Sequence, residues 1–224
     1  MIAKITKVEV IMKKLNLSLP VLTFVFIIVN VVSAQDIDPP AWRTNDAPGL
    51  TFQMWEFINP DNPAGPDLVS NEYGPPDCDI YNGEFTNNLP NPDGSGPPVS
   101  GWYFPVEDNG IMLNIPNDPT PNPEKKIRIQ ITSTKSPSSE NITADPPLTT
   151  NYLTHSMAWQ QSGPWYTYVY DFHLEPNPNS EMINVTFPAE TIVEEVVVDT
   201  WCLPEPSVLV VLLSMLFFSQ IRKK

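Results

Sequence analysis

Cysteine, histidine, glycine and basic residues are all scarce in this chain of 224 residues. The only cysteines are Cys78 and Cys202, so at most one intramolecular bridge can form. The only histidines are His155 and His173, and no Gly-x-Ser-x-Gly turn or comparable nucleophile motif accompanies either. Nine glycines stand against 27 prolines, more than twice the usual proline share of about 5%. Proline removes a backbone donor and breaks helices, so long helices are excluded and short strands joined by stiffened loops are favoured. Basic residues are nearly absent from the middle: Gln35 to Leu203 carries 24 Asp and Glu against 5 Lys and Arg, a net charge of −19. Such a segment repels nucleic acid and anionic lipid. No internal repeat is present, and the length suits one domain of ordinary size plus targeting segments.

The two ends are built differently. Met12-KKLNLSLPVLTFVFIIVNVVSAQ has two lysines, an apolar stretch from Leu15 to Val32, and small residues through Ala34. That is the three-part pattern of a secretory signal peptide over residues 1–34, cleaved after Ala34. An uncleaved anchor is the competing reading, because the apolar run is long. The chain closes with Leu203-PEPSVLVVLLSMLFFSQIRKK. A helix over Val208 to Ile221 would reach about 21 Å against a hydrocarbon core of about 30 Å, which is marginal for a permanent span. The basic Arg222, Lys223 and Lys224 would stay on the cytoplasmic side. This order of parts resembles the PEP-CTERM sorting signal, processed by exosortase-type transpeptidases in Gram-negative bacteria. Pro204, Glu205 and Pro206 match its recognition triplet, Val208 to Ile221 its membrane segment, and Arg222 to Lys224 its basic end. The resemblance implies an exosortase-type partner, a membrane-tethered precursor, and a destination in the cell envelope or outside the cell. The tail departs from the usual pattern in lacking glycine within the helix. A GPI-attachment tail fits less well, since it normally has no basic stop.

Between the ends, residues 35–203 alternate apolar and polar residues in stretches broken by Pro, Asn, Asp and Gly, as half-buried strands do. In Lys126-IRIQIT, Ile127, Ile129 and Ile131 take one face and Arg128, Gln130 and Thr132 the other. Similar stretches begin at Leu50, Ile80, Gly101, Ile111, Ser156, Trp165, Glu181 and Ile192. About eight or nine strands follow, in an all-β antiparallel sandwich flanked by the signal helix and the short C-terminal membrane helix. Leu89-PNPDGSGPP, Pro116-NDPTPNPE and Thr134-KSPSSENITADPP read as surface loops. Met54-WEF, Leu113-NIPNDPTPNPEK, Phe172-HLEPNPNSE and Val196-VVDTWCLPEP also resemble a group of exported PEP-CTERM proteins of unknown function. That likeness implies a sandwich of jelly-roll type whose last strand leads into the sorting triplet.

Four features have chemical potential. In an exported chain the two cysteines predict a Cys78–Cys202 disulfide, with unpaired thiols as the alternative. A bridge closing a loop of about 125 residues would stabilise by up to about 4–5 kcal/mol on the chain-entropy account. Asp77-C-Asp79-IYNGE, and Glu194, Glu195 and Asp199, gather carboxylates that could hold calcium, although the spacing is not that of an EF-hand and a solvated acidic loop fits better. Asp171 and His173 share one strand face, close enough for a carboxylate to orient an imidazole. Of the six tryptophans, Trp102 and Trp165 are candidate sugar platforms if their indole faces are exposed. With no cofactor, catalytic residue or metal ligand favoured, the expectation is a non-enzymatic structural or adhesive protein, with a carbohydrate-binding module for extracellular polysaccharide as the alternative.

Overall fold

The computed structural model describes residues 36–203, except 46–47, 93, 95–96, 120–122, 138–141, 146–149, 162, 176 and 178–179, and without the side chains of 44–45, 144–145, 150–156 and 160. The signal segment, the sorting triplet Pro204-Glu205-Pro206, the short apolar helix and the basic end all lie outside the described residues. Among those described, no helix is long and apolar enough to cross a membrane.

A 3-10 turn at Ala41–Asn45 precedes twelve strands: β1 (Leu50–Trp55), β2 (Leu68–Ser70), β3 (Asp77–Tyr81), β4 (Glu84–Leu89), β5 (Val99–Phe104), β6 (Gly110–Pro116), β7 (Glu124–Ser133), β8 (Ile142–Asp145), β9 (Thr150–Gln160), β10 (Tyr166–Glu175), β11 (Ser180–Thr186) and β12 (Thr191–Leu203). One sheet of eight runs β2-β1-β12-β7-β10-β9, with β5 also on β12 and β4 on β5; the second runs β3-β6-β11-β8. Every ladder is antiparallel. The all-β expectation holds, and the sheets share one core as in a β-sandwich.

Among the described residues twelve strands replace the eight or nine expected, for local reasons. The stretch from Ile80 to Phe85 is two strands in different sheets: the chain turns at Asn82, whose φ is 54°, and Gly83, so that β3 joins β6 and β4 joins β5. Asp77 and Asp79 therefore sit in a ladder rather than an acidic loop. β8 lies within the Ser- and Pro-rich stretch read as a loop, and pairs with β11.

Alternation places the core correctly. Ile127, Ile129 and Ile131 of β7 pack with Tyr170, Phe172 and Leu174 of β10 and Val196 and Val198 of β12. The four-stranded sheet contributes Ile111, Leu113 and Ile115 of β6, and Ile183 and Val185 of β11. β12 is the central element. β7 lies along one side of it, while β5 and then β1 follow one another along the other. The approach of β5 needs glycine, because a Cβ on Gly101 would lie 2.4 Å from the Val193 carbonyl oxygen.

The predicted disulfide is not formed. Cys78 and Cys202 are both free and buried. Cys78 belongs to the core on β3, whereas the Cys202 Sγ at the end of β12 donates to Asn117 Oδ1 at 2.8 Å. Burial pushes both thiols above their ordinary pKa. Native protein should therefore resist alkylation at neutral pH, and denatured, unreduced protein should take up two alkyl groups by mass spectrometry. Two blocked cysteines that open only after reduction would show a bridge instead.

Candidate functional site on the outer face of the large sheet

Arg128, Gln130 and Thr132 take the face of β7 opposite the isoleucines, yet Gln130 and Thr132 are buried. Part of the cover is the segment Asp36–Asn45. The backbone N–H of Asp38 donates to Gln130 Oε1 at 3.0 Å, and Gln130 Nε2 donates to Asp36 Oδ1 at 2.5 Å. Arg128 Nη1 reaches the Asp38 carboxylate at 2.9 Å. Arg43 donates from two nitrogens to Asp199, pairs with Asp36, and lies over the Phe52 ring at 4.5 Å. Strand register lines up Phe52, Asp199, Arg128 and Asp171 across four strands, so the segment is held over one row of alternating charge.

Burial and ion pairing compete within this row. Burial raises the pKa of Asp199, and the cations Arg43 and Arg128 only partly oppose it. Asp171 grips Arg128 with two hydrogen bonds of 2.7 Å, which is the main reason the guanidinium is held above its ordinary pKa.

One register step further on are Trp201, Lys126 and His173. Trp42 stacks on Trp201 with ring centroids 6.1 Å apart, and Lys126 Nζ lies 5.7 Å from the Trp201 ring. A groove of about 380 Å³ opens here, lined by Trp42, Glu124, Lys126, Asp171 and His173 among others. His173 Nε2 is 2.5 Å from Glu124 Oε1 and 3.7 Å from Glu175 Oε1. Donor atoms of Glu124, His173 and Glu175 lie within 4.8 Å of one another, so among the described residues these three could hold a divalent ion.

The expected site residues divide. Asp171 and His173 do share a face; Asp171 accepts from Arg128, and His173 meets Glu124. Trp102 and Trp165 cannot be sugar platforms: they are 6% and 1% exposed. Trp102 packs edge-on against Phe85, and Trp165 donates its indole N–H to the Pro90 carbonyl at 2.9 Å. Asp199 is committed to the Arg43 latch rather than to an open calcium site. The alternation patterns missed Trp42, Arg43 and Trp201 as a group. One clue was present: Arg43 is the only basic residue between Gln35 and Lys125.

No known family model matches this chain, and no curated protein matches it significantly.

Proposed function

We propose that this is an exported, non-enzymatic β-sandwich delivered to the cell envelope or extracellular matrix by a PEP-CTERM tail, with a structural or adhesive role. The observation that carries the reading is how far along its length the last described strand is held. β12 stays in register with β7 up to Leu203, opposite Glu124, and Pro204 is the next residue. On this reading the triplet follows a firmly held strand in the sequence, and its two prolines restrict the backbone on either side of one carboxylate. The commitment of Asp171 to Arg128 supports a non-catalytic role.

The jelly-roll reading has support in strand order. Numbering β1 and β6 to β12 as eight successive strands, β1-β12-β7-β10 is the order first, last, third, sixth, and β6-β11-β8 is second, seventh, fourth. Two interlocked Greek keys give these orders. The fifth strand, β9, departs from the scheme by pairing with β10.

The test is Glu205→Ala in a host with an exosortase. The parent should lose Arg222 to Lys224 and reach the outer envelope or medium, while the variant accumulates full-length in the membrane. Equal processing of the two would leave the tail a plain anchor.

A carbohydrate-binding reading is favoured by one observation: Trp42, backed by its stacking on Trp201, lines an open groove together with the carboxylates of Glu124 and Asp171. Aromatic faces flanked by hydrogen-bonding groups suit sugar rings. On that reading, the processed protein binds an extracellular polysaccharide in a pull-down, and Trp201→Ala lowers retention at least several-fold without changing the unfolding midpoint. Retention that is absent, or unaltered by the substitution, removes the groove as a sugar site.

A further inference from the structure

Between the two sheets lies a buried polar cluster. Lys125 of β7 and Glu181 of β11 form an ion pair whose side chains are both fully buried. Asn117 follows β6, and Cys202 lies near the end of β12; both are buried as well. Asn117 Nδ2 donates to Asn177 Oδ1 at 2.8 Å and lies 3.5 Å from Glu181 Oε1, the same oxygen that Lys125 Nζ meets. Asn117 Oδ1 accepts the backbone N–H of Asp118 at 2.8 Å and the thiol of Cys202 at 2.8 Å.

As a set of purely noncovalent contacts this cluster is poorly satisfied. The Lys125 ammonium has three donors to place, yet among the described residues it makes no hydrogen bond beyond its ion pair, and Glu181 Oε2 and the Asn177 amide nitrogen have no hydrogen-bond partner there. A buried ion pair with unfilled hydrogen-bonding capacity is commonly less stable than apolar packing. The same groups have the roles needed for amide exchange: an amine nucleophile, a carboxyl that carries protons, and a carbonyl whose oxygen already receives two donors.

We propose that Lys125 and Asn117 join in an intramolecular amide bond, with Glu181 as the proton carrier. Glu181 takes a proton from the Lys125 ammonium, and the freed Nζ attacks Asn117 Cγ. Negative charge gathers on Oδ1, facing the Asp118 N–H and the Cys202 thiol. Glu181 relays a further Nζ proton to the departing Nδ2 as the bond from Cγ to Nδ2 breaks. Ammonia leaves, the Nζ to Cγ amide remains, and Glu181 ends protonated. No oxidant or added reactant is required. Burial raises the Glu181 pKa, in keeping with a carboxyl that retains its proton there.

The test is the mass of the purified parent protein under denaturing conditions, with tandem spectra to locate any change. The expected result is a mass lower than the sequence requires by one ammonia, mapped to a linked peptide pair containing Lys125 and Asn117. Lys125→Met should restore the full mass. Asn117→Asp should lose one water instead of one ammonia. A full-mass parent would overturn the proposal whatever the variants do. So would a loss confined to Gln35, whose own cyclisation as a mature N-terminus releases the same ammonia, or a link from Lys125 to Asn177.

Discussion

Replacing Arg43 by Ala should lower the stability of the domain by about 2–3 kcal/mol at neutral pH, with part of the loss recovered on acidification. Arg43 is the nearer of two cations serving Asp199, whose side chain is wholly buried. Removing one partner of a buried pair typically costs about 3–5 kcal/mol, because the other charge is left without compensation. The lower figure applies here, since Arg43 is partly exposed and Arg128 still acts on Asp199. The pH dependence has a definite sign. The folded-state pKa of Asp199 is already raised by burial, and loss of Arg43 must raise it further. Between the unfolded value, about 3.9, and that raised value, the native state binds more protons than the unfolded chain, so stability grows as pH falls. Urea unfolding of parent and variant at pH 7 and pH 5 should show the gap between them narrowing at the lower pH. A gap unchanged by pH would mean that Asp199 is not the group left exposed to the loss.

Trp55→Ala should be costlier still, about 3–5 kcal/mol, the range for emptying a large aromatic site in a core. Trp55 is 0% exposed and belongs to the shared core, and its indole N–H donates to the Ala64 carbonyl at 3.1 Å. The substitution leaves both a cavity and a buried carbonyl without that donor. Trp159, 47% exposed on β9, provides the contrast, and its change to Ala should stay within about 0.5 kcal/mol. Denaturant midpoints of the two variants would separate these outcomes. Equal effects would mean that Trp55 is not the core anchor its burial indicates.

Much of the architecture was legible because it depends on period-two alternation. The Ile127-Ile129-Ile131 face, the inward Tyr170-Phe172-Leu174 face and the long final strand could all be read from the chain. What escaped lacks that period or depends on distant residues. β2 is three residues long and exposed throughout, so it has no buried face to reveal it. The break between β3 and β4 is a change of sheet at Asn82 and Gly83, and a sequence pattern does not say which sheet a strand joins. Burial of Gln130 follows from contacts with Asp36 and Asp38, 94 and 92 residues away. The cysteine pairing failed similarly: an even count in an exported chain permits a bridge, but Cys78 and Cys202 are engaged with different neighbours. The tryptophans could be counted in the sequence, but their exposure could not: Trp102 and Trp165 are buried, and it is Trp42, stacked on Trp201, that lines the groove.

The position of β12 also has a mechanical meaning. A load applied at Leu203, the end from which the tail departs, is directed along a thirteen-residue strand held between β7 on one side and β1 and β5 on the other. Pulling the strand along its own axis strains the hydrogen bonds of both flanking ladders in shear, so many must yield together. Peeling from an edge would instead open them one at a time. A domain held through its C-terminal end while its other surface adheres would thus carry tension through its best-supported strand.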